Sequence, residues 1–292
     1  MNQRAHFDQA SAGVVTSVTE PLAVTTQGPL YPPSEICDAE GNFVVVGAIP
    51  RKKSDGKVTT EWGAAIVSSE SPVPPFGEIA PYTILRMLSL DSLGADAGCI
   101  LHTLPLPLPC TNYQMIFAPE QCPDAHNFVA PSRPLHDAVP DFRVEDGRQN
   151  PHPITPGQWV KAGGQVTVDV DTDGIHATFC IEMDGLVPLS LYTVMSLREF
   201  DLRKSAPTRP GPLGIPNCFV TDEKGHARYV ARMRNPFPAP GTGNRIVNIV
   251  VLFMSTQASY GGAIGLHGLG ADIHAQLKIP HLAFSELITR EE

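Results

Sequence analysis

Between residues 165 and 171, Val166, Val168 and Val170 fall on one side of an extended backbone and Thr167 and Asp169 on the other. That period of two marks a half-buried strand. Asp173-Gly174 predicts a tight hairpin turn. The alternation then resumes, with Ile175, Ala177, Phe179, Ile181 and Met183 toward a core and His176, Thr178, Cys180 and Glu182 away from it. Residues 191–195 read as a further strand, and residues 218–221 lead into a turn at 222–225. In the strand that follows, Ala227, Tyr229, Ala231 and Met233 oppose Arg228, Arg232 and Arg234. Residues 246–254 are apolar on both faces apart from Asn248, the pattern of a strand covered on both sides. A final strand at 272–279 follows a Gly-rich loop at 261–270. Short strands at this regular spacing predict an antiparallel β-sandwich of immunoglobulin-like dimensions in the C-terminal half.

The N-terminal half is less regular. Phe43-Val44-Val45-Val46, a polar turn at 52–56 and the β-favouring run Val58-Thr59-Thr60-Glu61-Trp62 predict a hairpin. Residues 82–88 are the best helical stretch of this half, although their spacing also fits a strand. Leu104-Pro105-Leu106-Pro107-Leu108-Pro109 can be neither an interior helix nor a central strand and is expected at an edge or in polyproline form. The expected organisation is an extended Pro-containing arm at 1–35, a loop-rich β region at 36–150 and the sandwich domain at 151–292. The arm would either lack fixed structure or lie against another subunit.

Composition narrows the classes. With 29 Pro and 25 Gly and only 17% charged residues, a coiled coil, a long-helix bundle and a chain disordered throughout are excluded. Lys and Arg number 21 against 30 Asp and Glu, and a net charge of −9 repels phosphate backbones, so nucleic acid is not an expected partner. The one basic run, Arg51-Lys52-Lys53, passes at once into Ser54-Asp55-Gly56 and reads as a hairpin turn. The first residues lack the apolar stretch of a secretory signal, and the run at 246–254 falls well short of the roughly 20 residues that cross a bilayer. A soluble cytoplasmic protein without membrane contact is the expectation. Its six cysteines, none in a C-x-x-C pair, are then expected as thiols.

Candidate chemistry gathers first around the Gly-rich loop. Period-two geometry puts Asp272, His274 and Gln276 on one strand face, with His267 in the loop ahead of them. Two imidazoles and a carboxylate could hold a divalent metal, or a histidine base could be oriented by an acid. The competing reading is a solvent-facing polar strand beside surface histidines. On the 176–182 face, His176 and Cys180 stand about 13 Å apart along a strand, too far to share one metal, which leaves a mixed polar surface. The loop histidines His102, His126, His136 and His152 could converge on a site. The row Arg228, Arg232, Arg234 could bind a carboxylate or an acidic partner, or could guard an open sheet edge. No G-x-S-x-G elbow, P-loop, G-x-G-x-x-G after a strand or H-E-x-x-H occurs.

Gly185-Leu186-Val187-Pro188 followed by Tyr192-Thr193-Val194 resembles a strand–turn–strand element of β-sandwiches, including copper/zinc superoxide dismutases. The resemblance implies a sandwich but not that activity, because Thr193-Val194-Met195-Ser196 stands where the paired metal histidines would be. Two function classes follow. One is a binding or assembly protein that forms homo-oligomers through its arm and edge strands. The other is a small-molecule enzyme using His267, Asp272 and His274, with or without a metal.

Overall fold

The computed structural model describes residues 16–28, 33–75, 77–105, 129, 131–137, 150, 152–239, 241–259 and 272–287. The chain is mainly β, and its sheets are antiparallel. In the N-terminal half the strands are β1 (Ser17–Val24), β2 (Ile36–Cys37), β3 (Phe43–Lys52), β4 (Val58–Val67), β5 (Ile84–Leu88) and β6 (His102–Thr103). Then come β7 (Gly163–Val170), β8 (His176–Asp184), β9 (Leu191–Arg198), β10 (Gly211–Pro212), β11 (Cys218–Val220), β12 (Ala227–Arg234), β13 (Ile246–Met254) and β14 (Ile273–Lys278). The larger sheet runs β10-β9-β13-β14-β1-β7-β8-β12, with β11 also on β9, and the smaller runs β5-β4-β3-β2-β6. Among the described residues no helix is long and apolar enough to cross a membrane.

Local chemistry explains the strands that were legible. Gly174 takes the positive φ of the β7–β8 turn (+72°), and Asp173 Oδ1 accepts the Ile175 N–H at 2.9 Å. Ala177, Phe179, Ile181 and Met183 point inward as their alternation requires. Ile175 does not: it belongs to the turn and is exposed, so the core face of β8 starts one step later than the pattern suggested. Of the two readings open for residues 82–88 the structure shows the strand, at Ile84–Leu88. Ile84–Leu88 is too short to hold a helical nucleus by itself, and pairing with β4, Met87 opposite Ala65, satisfies its backbone instead.

Two hydrophobic clusters share the central strands. In the first, Val166, Phe179, Ile181 and Tyr229 of the β7-β8-β12 half meet Tyr192, Val194, Val251 and Phe253 of the β9-β13 half. Phe219 joins them, stacked on Tyr192 at 5.5 Å and tilted against Tyr229 at 6.0 Å. In the second, Phe43, Val45, Ala65 and Val67 of the smaller sheet pack on Met195, Val250, Leu252, Ile273 and Ala275. β13 is therefore covered on both sides, as its apolar pattern, interrupted only by Asn248, implied, and every one of its residues is buried.

β1 joins these parts. Ser17 to Leu22 pair with β7, and Ala23 and Val24 pair with β14. The backbone continues the crossing: Thr25 N–H donates to the Gln276 carbonyl at 2.8 Å, and Thr26 N–H to the Val46 carbonyl at 2.9 Å. Residues 17–26, inside the segment expected as an arm, thus hydrogen-bond to both halves of the larger sheet and to the smaller sheet.

Gln27 completes the join. Its Oε1 accepts the Ala48 N–H at 2.6 Å, and its Nε2 donates to the Ala48 carbonyl at 2.9 Å and the Pro33 carbonyl at 3.1 Å. Gly47 sits beneath this amide at φ +143°, where a Cβ would overlap Gln27 Oε1. Gly47→Ala is therefore expected to destabilise the fold by about 2 kcal/mol, read as a lower urea midpoint. An unchanged midpoint would show that the Gln27 amide can move aside.

Candidate functional site

β14 carries His274 and Gln276, Asp272 stands just before it, and the structure buries all three. Asp272, His274 and Gln276 are each 1% exposed or less. This corrects the reading of a solvent-facing polar strand. A polar row inside a core must find partners in protein, and here the partners come from distant segments.

His274 stands against Phe253, with ring centroids 6.3 Å apart. Its Nδ1 lies 3.2 Å from the Glu35 carbonyl and its Nε2 3.0 Å from Ser255 Oγ. A carbonyl can only accept, so Nδ1 carries the proton and Nε2 accepts from the Ser255 hydroxyl. Burial pushes the His274 pKa down to about 4, the Glu35 carbonyl opposing the shift, and the ring is neutral at pH 7. Both nitrogens are engaged within the fold.

Gln276 sits where β14 bulges against β13. Its Oε1 accepts the Tyr192 hydroxyl proton at 2.6 Å, and its Nε2 donates to the Trp159 carbonyl at 3.2 Å. Tyr192 in turn accepts the Val187 N–H at 2.9 Å, and burial raises its phenol well above the ordinary range. Asp272 accepts the Ser255 N–H through its backbone carbonyl at 3.0 Å. His267 and the Gly-rich loop lie outside the described residues, as does His126. Among the described residues no group of three or more His, Cys, Asp and Glu side chains is placed to hold a metal ion.

The arginine row lies where the alternation put it, on the outer face of β12 at the end of the larger sheet. Arg232 donates to Asp171 at 2.6 Å, and Arg228 stands 4.0 Å from Glu182. Arg234 is exposed opposite His176. Exposed pairs of this kind contribute roughly 0–1 kcal/mol to stability. His176, Thr178 and Glu182 form the expected mixed surface beside it, with Cys180 part-buried. Cys37, Cys99, Cys180 and Cys218 are free thiols. Cys37 is buried beside Ser132, and desolvation lifts its pKa to about 11, which makes it a poor nucleophile. Cys110 and Cys122 lie outside the described residues.

Besides an open groove of about 830 Å³ lined by Gln165, Glu182, Asp222, His226 and Arg228 among others, two smaller cavities are lined by described residues. One, of about 320 Å³, is lined by His152, Ser190, Glu223 and Gln257 among others. Its Ser190 hydroxyl donates to the Pro188 carbonyl at 2.9 Å, and Gln257 Oε1 accepts the Leu191 N–H at 2.8 Å, so these polar groups brace the loop. The other, of about 200 Å³, lies between the end of β14 and the β3–β4 hairpin and is lined by Lys278, Gln27, Tyr82, Pro33, Pro50 and Ile79 among others. Lys278 Nζ donates to the Gln27 carbonyl at 3.1 Å and sits 5.6 Å above the Trp62 ring. Burial lowers the Lys278 pKa to about 8, with the Glu35 charge opposing. Burial also raises the Tyr82 phenol to about 12. Sequence reading passed over Lys278 because it stood as the polar end of an alternating strand. The only hint was a lone cation in a stretch otherwise free of basic residues.

Comparison with protein-family models, with curated proteins and with solved structures finds no match to this chain.

Proposed function

We propose that this chain is a binding or assembly protein with a β-sandwich body, in which edge strands make contacts between copies. The observation that carries the reading is His274. Its two ring nitrogens serve Glu35 and Ser255, so the residue best placed by sequence to act as a base or metal ligand is a structural one. An enzyme working through His267, Asp272 and His274 would have to break one of those buried bonds, at about 1–3 kcal/mol for the group left unpaired.

The sandwich is supported by the first core cluster, shared between the β7-β8-β12 and β9-β13 halves. The edges differ in character. β12 presents arginines, which discourage strand addition. β5, the last strand of the smaller sheet, presents Leu85 and Met87 at 54% and 45% exposure. A second copy is the proposed occupant of the β5 edge.

Sedimentation equilibrium tests this. The unaltered chain is expected to self-associate, and the double change Leu85→Lys with Met87→Lys should weaken association at least about tenfold. A monomer at every concentration would remove the assembly reading. Truncation is a usable test only if it stops before Ser17, because removing residues 1–35 also removes β1 and the Glu35 contacts.

A further inference from the structure

We propose that the cavity over Lys278 is a binding site for a small monocarboxylate with a short aliphatic body. Gln27 Oε1 is fixed by the Ala48 N–H, and its two Nε2–H groups, which serve the Ala48 and Pro33 carbonyls, are shared with the Tyr82 hydroxyl at 3.2 Å. Nε2 has no lone pair to offer, so Tyr82 accepts that bond and its own O–H proton stays available. Among the described residues no hydrogen bond uses that proton. Lys278 gives one N–H to the Gln27 carbonyl, which leaves two N–H directions on the ammonium. The polar end of the cavity therefore offers a cation, its charge partly offset by Glu35, and a hydroxyl proton. A carboxylate accepts through two oxygens and carries the opposite charge.

The remaining wall sets the rest of the ligand. Pro33, Pro50, Ile79 and Ala48 are apolar, and the prolines hold their backbone without flexible side chains. About 200 Å³ is below the range of drug-sized pockets, which limits the ligand to a few carbon atoms beyond the carboxylate. Glu78 also lines the cavity but is exposed at its rim, where solvent screens it. It disfavours a second negative charge on the ligand. Phosphate-like dianions fit neither this rim nor the apolar wall. The site does not depend on the subunit contacts proposed above, so either idea can fail alone.

Isothermal titration of the full-length protein with sodium butyrate tests it, with butyramide as the neutral control of the same shape. Butyrate is expected to bind with one-to-one stoichiometry, and butyramide at least about tenfold more weakly. Lys278→Met should weaken butyrate binding by at least about tenfold, and Tyr82→Phe by roughly threefold to tenfold. If Lys278→Met fails to fold, Tyr82→Phe decides, because it keeps the ring and removes only the hydroxyl. The proposal is overturned if the unaltered protein takes up no butyrate, if butyramide binds equally well, or if the variant that folds binds butyrate as tightly as the parent.

Discussion

Trp159→Ala is expected to lower the stability of the protein by about 4 kcal/mol, within the usual range for deleting a buried Trp or Phe ring. Trp159 ends a one-turn helix, Pro156–Trp159, whose start is capped by the Thr155 hydroxyl accepting the Gln158 N–H. So short a helix has little stability of its own, and what holds it is the indole. That ring is fully buried, meets Phe253 edge-on at 5.9 Å, and donates Nε1–H to the Thr25 carbonyl at 2.8 Å. Alanine would remove the ring contact, leave a void against Phe253 and strip the Thr25 carbonyl of its donor in one step. Trp159→Phe separates the contributions. It keeps most of the volume and loses the donor, for an expected cost of about 2 kcal/mol. Urea unfolding of the three proteins measures both. A loss under about 1 kcal/mol for the alanine variant would mean that the helix turn is not part of the cooperative core.

The second large effect is a pH dependence set by His274. In the unfolded chain an imidazole titrates near 6.5, and in the fold burial lowers this one to about 4. Between those values the unfolded chain binds a proton that the folded one does not. Stability must then rise with pH across the window and fall as the medium is acidified from 6.5 toward 4. At 1.36 kcal/mol per pH unit the loss across the window is about 3 kcal/mol, with no further change from this residue below 4. Other carboxylates and histidines add their own slopes, so the informative quantity is a difference. His274→Gln should flatten the dependence between pH 7 and 4.5 relative to the parent, whatever it does to absolute stability. Parallel profiles for the two proteins would show that His274 is not held neutral.

Strand positions were most legible where one face meets solvent and the other a core. The alternation in β7, β8 and β12 is a direct record of that asymmetry, and the arginines of β12 fell on the outer side as read. β13 was legible for the opposite reason, since a nearly unbroken apolar run fits only a strand covered on both faces. β14 defeated the pattern. Asp272, His274 and Gln276 mimic a wet face, because polarity in a sequence records that a side chain needs a partner and does not say that the partner is water. The partners are Glu35, Ser255, Tyr192 and Trp159, and no local window contains them. β5 stayed open for a related reason: a short amphipathic run obeys two periods, and only the presence of β4 decides between them. The Lys278 cavity was illegible because its walls come from four separate segments of the chain.

The crossing made by β1 also bears on how the protein is made. Gln27 and Lys278 meet across a sequence separation of 251, and β1 pairs with β7 on one side and β14 on the other. On the ribosome β1 must therefore wait for β14 before its second edge is filled. Long-range pairings of this kind slow folding and prolong the exposure of unpaired edges. Nascent chains stalled before residue 273 should accordingly bind chaperones and be cut readily by protease within residues 17–27. Chains released with β14 in place should resist cleavage there.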